Sequence, residues 1–268
     1  MPKLNSFFFK LAKRGTAPVI RALRRRLGTG YFEHPELQLP PPWDMVQLLV
    51  ERQLDHYLHV AETSISEIAI VGAHDGAEIS RLIGQYPNVH INAFEPSQAA
   101  FSKLQSRFGS NRSVSLFNIA VSDRIGEALF YELPLEGNGS LLKPLESRWR
   151  EINKQPVSST SSSIVSTSTL DTLLADIPKL DLLWIDVQGA ELSVLSGGVN
   201  VLNRTTAIFL EVSIPDSPYS QGCKFDNLDQ HLQSKNFRCI SLGLDPWNYT
   251  GNAFFVRSPE QLACQPHR

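Results

Sequence analysis

Only three cysteines occur in the 268 residues, Cys223, Cys239 and Cys264, an odd number, widely spaced and late in the chain. They match no zinc-ligand spacing and no disulfide framework, so a reducing cytoplasm and no structural metal are expected. No apolar run approaches the roughly 20 residues that a bilayer-spanning helix needs. Positive charge is scarce in the body of the chain: beyond residue 30 there are 17 basic and 27 acidic side chains, a balance of −10. Such a body argues against nucleic acid as partner or substrate, because neutralising phosphates requires a basic face. A hydrophobic content of 42% with 19% charged residues is ordinary for a globular chain.

The missing positive charge is concentrated at the start. Residues 1–30 hold eight basic side chains and no acid. The apolar stretch Phe7–Phe9 is too short for a secretion signal, and charges follow it instead of a small-residue cleavage site. Ile20, Leu23 and Leu27 recur at helical spacing with Arg21, Arg24 and Arg25 to the side. That pattern suits a solvated extension or an amphipathic helix in peripheral contact with anionic lipid. "ELQLPPPWD" stiffens the chain into a spacer. In the next segment Val46, Leu49, Val50, Leu54, Tyr57 and Leu58 share a helical face. His56 and His59 on that segment have no third metal ligand nearby. The expected divisions are a basic extension at 1–39, a spacer and leading helix at 40–62, a catalytic domain at 63–258 and a tail at 259–268.

From Glu67 the pattern alternates between strand and helix. "IAIV", "VHINAF", "VSLFNIAV", "GEALFYEL", "DLLWIDV" and "TAIFLEV" are predicted strands. "AEISRLIGQY", "SQAAFSKLQSRF" (begun by Ser97), "AELSVLSGGVNVL" and "FDNLDQHLQSKN" are predicted helices. Strongly apolar strands alternating with helices specify an α/β fold, a mostly parallel sheet covered on both faces. "FRCISL" and "NAFFVR" have no helix between them and should pair as a closing hairpin, making one strand antiparallel. The turn-rich, serine-rich segment between Glu136 and Leu174 fits neither pattern and is expected to be a long connection, functional or simply flexible.

Ligands of open α/β sheets bind outside the carboxyl ends of the strands. The first turn, "GAHDG", supplies Gly72, Ala73, His74, Asp75 and Gly76. A diphosphate lies against bare backbone at a helix N-terminus, which favours glycine. His74 and Asp75 add bulk and negative charge there, pointing away from NAD and toward S-adenosyl-L-methionine, which is cationic and has no phosphate. Glu95 follows Gly76 by 19 residues. It is suited to accepting hydrogen bonds from ribose hydroxyls, or simply to a helix N-terminus. Asp186, Gln188 and Glu191 follow one apolar strand and Glu211 ends another. Burying such groups is costly unless they bind something; capping of a helix by Asp186 or Glu191 is the alternative, and the further carboxylate of Glu211 on the neighbouring strand favours function. Neighbouring carboxylates raise one another's pKa, a route to a general base.

In order, "VGAHDG", "FEP", "NIAVSD", "GNGSL", "TLDTLL", "IDVQGAELSVLSGG" and "IFLEVS" resemble the FkbM family of S-adenosylmethionine-dependent methyltransferases. The closing "YSQGCKFDNLDQHLQSKNFRCISL…GNAFFVR" resembles it too, so the likeness covers residues 67–257. It implies a class I methyltransferase fold, Rossmann-like, with a seven-stranded sheet and an antiparallel last strand. It also implies O-methylation of a sugar, glycan or secondary-metabolite hydroxyl. By the same likeness Gly72, His74 and Gly76 form the cofactor loop, Glu95 holds the ribose, Asn118 and Ala120 flank the adenine, and Asp186 lies near the transferred methyl. The family often has an acid two residues before the first glycine and Asn at the position of His74. This chain has Ile70 and His74, with Asp75 as a substitute acid.

Asp186 is the first candidate for the base, followed by Glu211 and His74. Gln188, Glu191, Asn138 and Ser140 form the polar set suited to an acceptor, and Trp184 is assigned to the core. The readings held against this one are an NAD-dependent enzyme on a similar sheet and a non-catalytic adapter with the same fold.

Overall fold

The computed structural model describes residues 50–56, 65–133, 137–153, 160–213, 217–244 and 250–258. The basic extension, the proline spacer, most of the leading segment including His59, and the tail with Cys264 lie outside the described residues. Residues 50–56 are helical, with Val50 and Leu54 buried, as the apolar spacing predicts.

Among the described residues, ten strands form two sheets. They are β1 Glu67–Val71, β2 His90–Phe94, β3 Val114–Phe117, β4 Ala120–Val121, β5 Gly126–Glu132, β6 Ser161–Ser168, β7 Leu180–Ile185, β8 Thr205–Ser213, β9 Phe237–Leu244 and β10 Thr250–Arg257. The main sheet has seven strands in the order β3-β2-β1-β7-β8-β10-β9. Only β10 runs against its neighbours, pairing antiparallel with both β8 and β9. The predicted hairpin and the reversed last strand are both present.

Alternation along each strand builds two cores. Ile68 and Ile70 of β1 face one way, with Leu182, Phe209 and Phe254. Ala69 and Val71 face the other, with Leu183, Ile185, Ile208 and Phe255. The first core is covered by α1 (Ala77–Gln85) and α2 (Gln98–Phe108), through Ile79, Leu82, Leu104 and Phe108. Ile79 and Leu82 are fully buried, each contributing roughly 1.5–3 kcal/mol of transfer free energy. Ser97 caps α2 by accepting from the Ala100 amide, as the sequence predicts. The second core is covered by α4 (Leu170–Leu173), α5 (Glu191–Ser196), α6 (Val199–Asn203) and α7 (Phe225–Ser234). The helix α3 (Glu146–Asn153) lies in the connection before β6.

Three local expectations require correction. "VSLFNIAV" is not one strand: it breaks at Asn118, and β4 leaves the main sheet for a second one. That second sheet has the order β4-β6-β5, with β6 parallel to β4 and antiparallel to β5. The serine-rich run is therefore strand β6, because Ile164, Val165 and Thr167 supply β-branched residues and β5 supplies a hydrogen-bonding edge. "AELSVLSGGVNVL" is two short helices, broken at Gly197–Gly198. A side chain at Gly197 would meet the Ser122 carbonyl at 2.2 Å, so the backbone passes too close for anything larger.

Candidate active site

The register of the main sheet places the candidate residues in one row. Val71 is level with Phe94 and with Ile185, Phe94 with Phe117, and Ile185 with Leu210. One residue further along each strand come Gly72, Glu95, Asp186, Asn118 and Glu211. These parallel strands thus deliver their chemistry to the same edge.

That edge borders a cleft of about 380 Å³, within the usual range for small-molecule sites. Of the residues singled out in the sequence, Gly72, His74, Asp75, Glu95, Ala120, Asn138 and Asp186 line it. The second sheet forms its outer wall through Phe130, Glu132 and Ser161.

The turn after β1 is tied to the end of β2. Gly72 and Ala73 amides donate to the Phe94 carbonyl at 2.9 and 3.1 Å. The His74 amide donates to Glu95 Oε2 at 2.8 Å, and the Ser97 amide to Oε1 at 2.8 Å. Each oxygen keeps a lone pair for a vicinal diol. Burial pushes the Glu95 pKa upward, opposed by these two amides and by the nearby His74 ring. Gly72, at φ +86°, lies against the Asp186 carbonyl, and an added Cβ would stand 1.8 Å from that oxygen. Gly76 answers to protein packing too, since its Cβ would meet Phe108 at 2.5 Å. Ala73 and Gly76 are buried behind the loop and do not line the cleft.

Beyond β7, Gln188 Nε2 donates to Asp186 Oδ1 at 2.8 Å and to Glu211 Oε2 at 2.7 Å. The two carboxyl groups also hydrogen-bond each other, raising the pKa of Glu211 and lowering that of Asp186. Burial comes first for both and pushes both upward; for Glu211 the neighbouring Asp186 and Glu191 charges add to that rise. Tyr219 is 2% exposed, and its hydroxyl reaches both Gln188 Oε1 at 3.2 Å and the Asn138 carbonyl at 2.9 Å. Burial pushes its pKa up, so it stays a donor.

His74 at φ 44° and Gln188 at φ 55° are two of the four non-glycine residues with positive φ among those described. Such backbone costs about 1–2 kcal/mol per residue, and both flank the cleft.

Several predicted residues do other work. Asn118 donates its amide to the Glu95 and Pro96 carbonyls, fixing the loop from outside the cleft. Ser140, 1% exposed, bonds the Gln188 carbonyl at 2.9 Å and bridges to Tyr131, strapping the 137–143 segment down. Glu191 is buried and receives the Gly189 amide and the Cys223 thiol, so it organises the turn from within. Asp75 caps the Ala77 amide and pairs with Arg107. Sequence reasoning passed over Glu78, Lys103, Glu132 and Tyr219. The first three line the cleft from α1, α2 and β5, and only Glu78, two residues after Gly76, carried a local signal.

The methyltransferase FkbM domain profile matches residues 71–239, more than half the chain. The chain belongs to the FkbM methyltransferase family. This family member is 30% identical over 179 residues to the 2-O-methyltransferase NoeI of Sinorhizobium fredii, covering 62% of this chain and 70% of NoeI. Among solved structures, it is similar to an FkbM methyltransferase from Methylobacillus flagellatus, with 13% identity and a TM-score of 0.49. That match covers 72% of this chain but only 44% of the other, so the chain spans less than half of that protein. It is also similar to an rRNA methylase from Streptococcus thermophilus, with 10% identity and a TM-score of 0.45, covering 78% and 96% of the two chains.

The sheet of this FkbM methyltransferase is the class I methyltransferase arrangement, and its methyl donor is S-adenosylmethionine. The cleft fits that donor. Glu95 keeps acceptor capacity for the ribose diol, Phe94, Ile119, Ala120 and Val121 provide an apolar wall for a flat base, and the carboxylates of Asp75, Glu78 and Asp186 suit a cation. Among the described residues, no helix is long and apolar enough to cross a membrane.

Proposed function

We propose that the protein moves a methyl group from S-adenosylmethionine to a hydroxyl oxygen of a small-molecule or glycan acceptor, a sugar or a secondary metabolite. The observation that carries this reading is the Asp186–Gln188–Glu211 arrangement: a carboxyl group at the cleft edge, held by the same side-chain amide that holds a second buried carboxyl behind it. The likeness to a 2-O-methyltransferase supports oxygen as the acceptor atom.

S-adenosylmethionine supplies an electrophilic methyl on a cationic sulfur. Glu95 fixes the ribose and so sets the depth of the reactive end. A carbohydrate hydroxyl is a weak acid, so its proton must leave as the oxygen–carbon bond forms. Asp186 accepts that proton, its raised pKa bringing it closer to the working pH. Gln188 and Glu211 hold Asp186 in place, and alignment of acceptor and methyl supplies much of the rate. His74 faces the same cleft and is the second candidate acceptor. Asn138 contributes to the acceptor side, with Ser140, Gln188 and Glu191 supporting it from behind. The Cys223 thiol donates to Glu191 as a thiol, in keeping with a reducing cytoplasm. Residues 63–258 form the catalytic domain, and residues 1–30 offer a peripheral membrane contact.

Calorimetric titration with S-adenosylmethionine and NAD, on the wild type and on Glu95→Ala, tests the reading. Micromolar binding of the first, lost in the variant and absent for NAD, is expected, followed by methylation in a screen of sugar hydroxyls. Binding of NAD alone, or of neither, would overturn it.

A further inference from the structure

The carboxylates around the cleft differ in how their charge is answered. Asp75 has Arg107, with Nη1 at 3.6 Å from Oδ2. Glu95 has the amides of His74 and Ser97. Glu132 accepts from the Ser97 hydroxyl at 2.6 Å. Asp186 has the Gln188 amide, which it shares with Glu211. Glu78 is different. It lies in the first turn of α1, half-buried in the cleft wall, and bonds only its own backbone amide. Arg81, one turn on, acts on it from a distance but is held by Asp55 at 3.0 Å and by the face of Trp184. Among the described residues no other side chain hydrogen-bonds to Glu78.

Glu78 and Asp186 both line the cleft; burial pushes the Glu78 pKa up, and the charges of Asp186 and Asp75 add to that. A carboxylate held there with open lone pairs is matched by a ligand cation that carries N–H donors. The β1 strand brings no acid to this end of the cleft, because Ile70 is buried in the core beneath α1.

We infer that Glu78 is the residue that binds the α-ammonium group of S-adenosylmethionine, by a charge-assisted hydrogen bond across the cleft from Asp186. The inference rests on S-adenosylmethionine being the ligand of this cleft. The ammonium rather than the sulfonium is the partner, because the sulfonium has no proton to donate. Asp75 is left to cap α1 and pair with Arg107.

Three ligands separate the possibilities when titrated into full-length wild type and Glu78→Gln. S-adenosylmethionine has ammonium and sulfonium, S-adenosylhomocysteine has the ammonium alone, and methylthioadenosine has neither. Glu78→Gln is expected to weaken the first two by the same factor, about 10- to 100-fold, and to leave methylthioadenosine unchanged. Equal weakening of all three, weakening of S-adenosylmethionine alone, or no weakening would each overturn the assignment. Failure of wild type to bind any of the three would instead reject the cofactor assignment beneath it. Should Glu78→Gln not fold, Glu78→Asp keeps the charge with a shorter reach. It is expected to weaken the two ammonium ligands selectively, and unselective loss would count against Glu78.

Discussion

The His74 amide and the Glu95 carboxylate are 2.8 Å apart, so the turn after the first strand is held by the residue proposed to bind the ribose. Glu95→Ala therefore removes more than a ligand contact. It leaves the His74 and Ser97 amides without their acceptor, and each orphaned donor costs about 1–3 kcal/mol. Urea unfolding of the ligand-free protein should show that loss, whereas a surface control such as Glu127→Ala should unfold like wild type. Unchanged stability would mean that Glu95 serves the ligand alone.

Asp186→Asn should lower kcat by about 10²- to 10⁴-fold while cofactor affinity holds. In wild type, kcat should fall as the pH drops through the raised pKa of Asp186, because the base works only when ionised. Glu211 donates a hydrogen bond that lowers this pKa, so Glu211→Leu should move the acid limb to higher pH. A limb that stays in place would remove Glu211 from this role.

Tyr219→Phe removes the hydroxyl that touches both Gln188 and the Asn138 carbonyl. We expect kcat to fall about tenfold, the scale of one lost hydrogen bond, with acceptor KM raised and cofactor Kd unchanged. A change in cofactor Kd alone would place Tyr219 elsewhere in the mechanism.

The buried carboxyls make stability depend on pH in an unusual direction. Glu95, Asp186, Glu191 and Glu211 all have folded-state pKa values above their unfolded ones, chiefly because burial disfavours the charge. The folded state therefore holds more protons, and stability should decline as pH rises from about 4 through those raised values. Glu191→Gln should flatten that decline. Asp181 behaves oppositely: burial would raise its pKa, but Lys179 and the amides of Ser66 and Glu67 hold it below the ordinary value. Its contribution is present above the unfolded pKa and lost as pH falls through the folded one, so Asp181→Asn should cost stability at neutral pH and little in acid. Urea midpoints measured from pH 4 to 8 check both signs.

Two glycines give contrasting tests. Gly72→Ala sets a Cβ against the Asp186 carbonyl at φ +86° and should cost more than about 3 kcal/mol. Gly84 is exposed in α1 with nothing within 4 Å of a Cβ, so Gly84→Ala should gain up to about 0.5–1 kcal/mol. Thermal melts of the two variants should move in opposite directions.

Much of the site was legible in the chain because local pattern dictates it. Continuously apolar strands that deliver Gly72, Glu95, Asp186 and Glu211, alternating with helices, specify the sheet and the edge where those residues emerge. Their ordered motifs carry the family. The second sheet was not legible: β6 is a run of serines whose strand form depends on pairing with β5, a partner some 35 residues away in sequence. Nor could spacing separate residues that face the cleft from those that support it. Glu191, Ser140 and Asn118 look like Asp186 in a sequence, yet their polar groups are taken up by the Gly189 amide, the Gln188 carbonyl and the Glu95 carbonyl. Glu78, by contrast, looks like any first-turn glutamate and faces the cleft. Covalent order fixes which side chains reach the edge of the sheet; which of them keep a free lone pair there depends on contacts that only the folded chain makes.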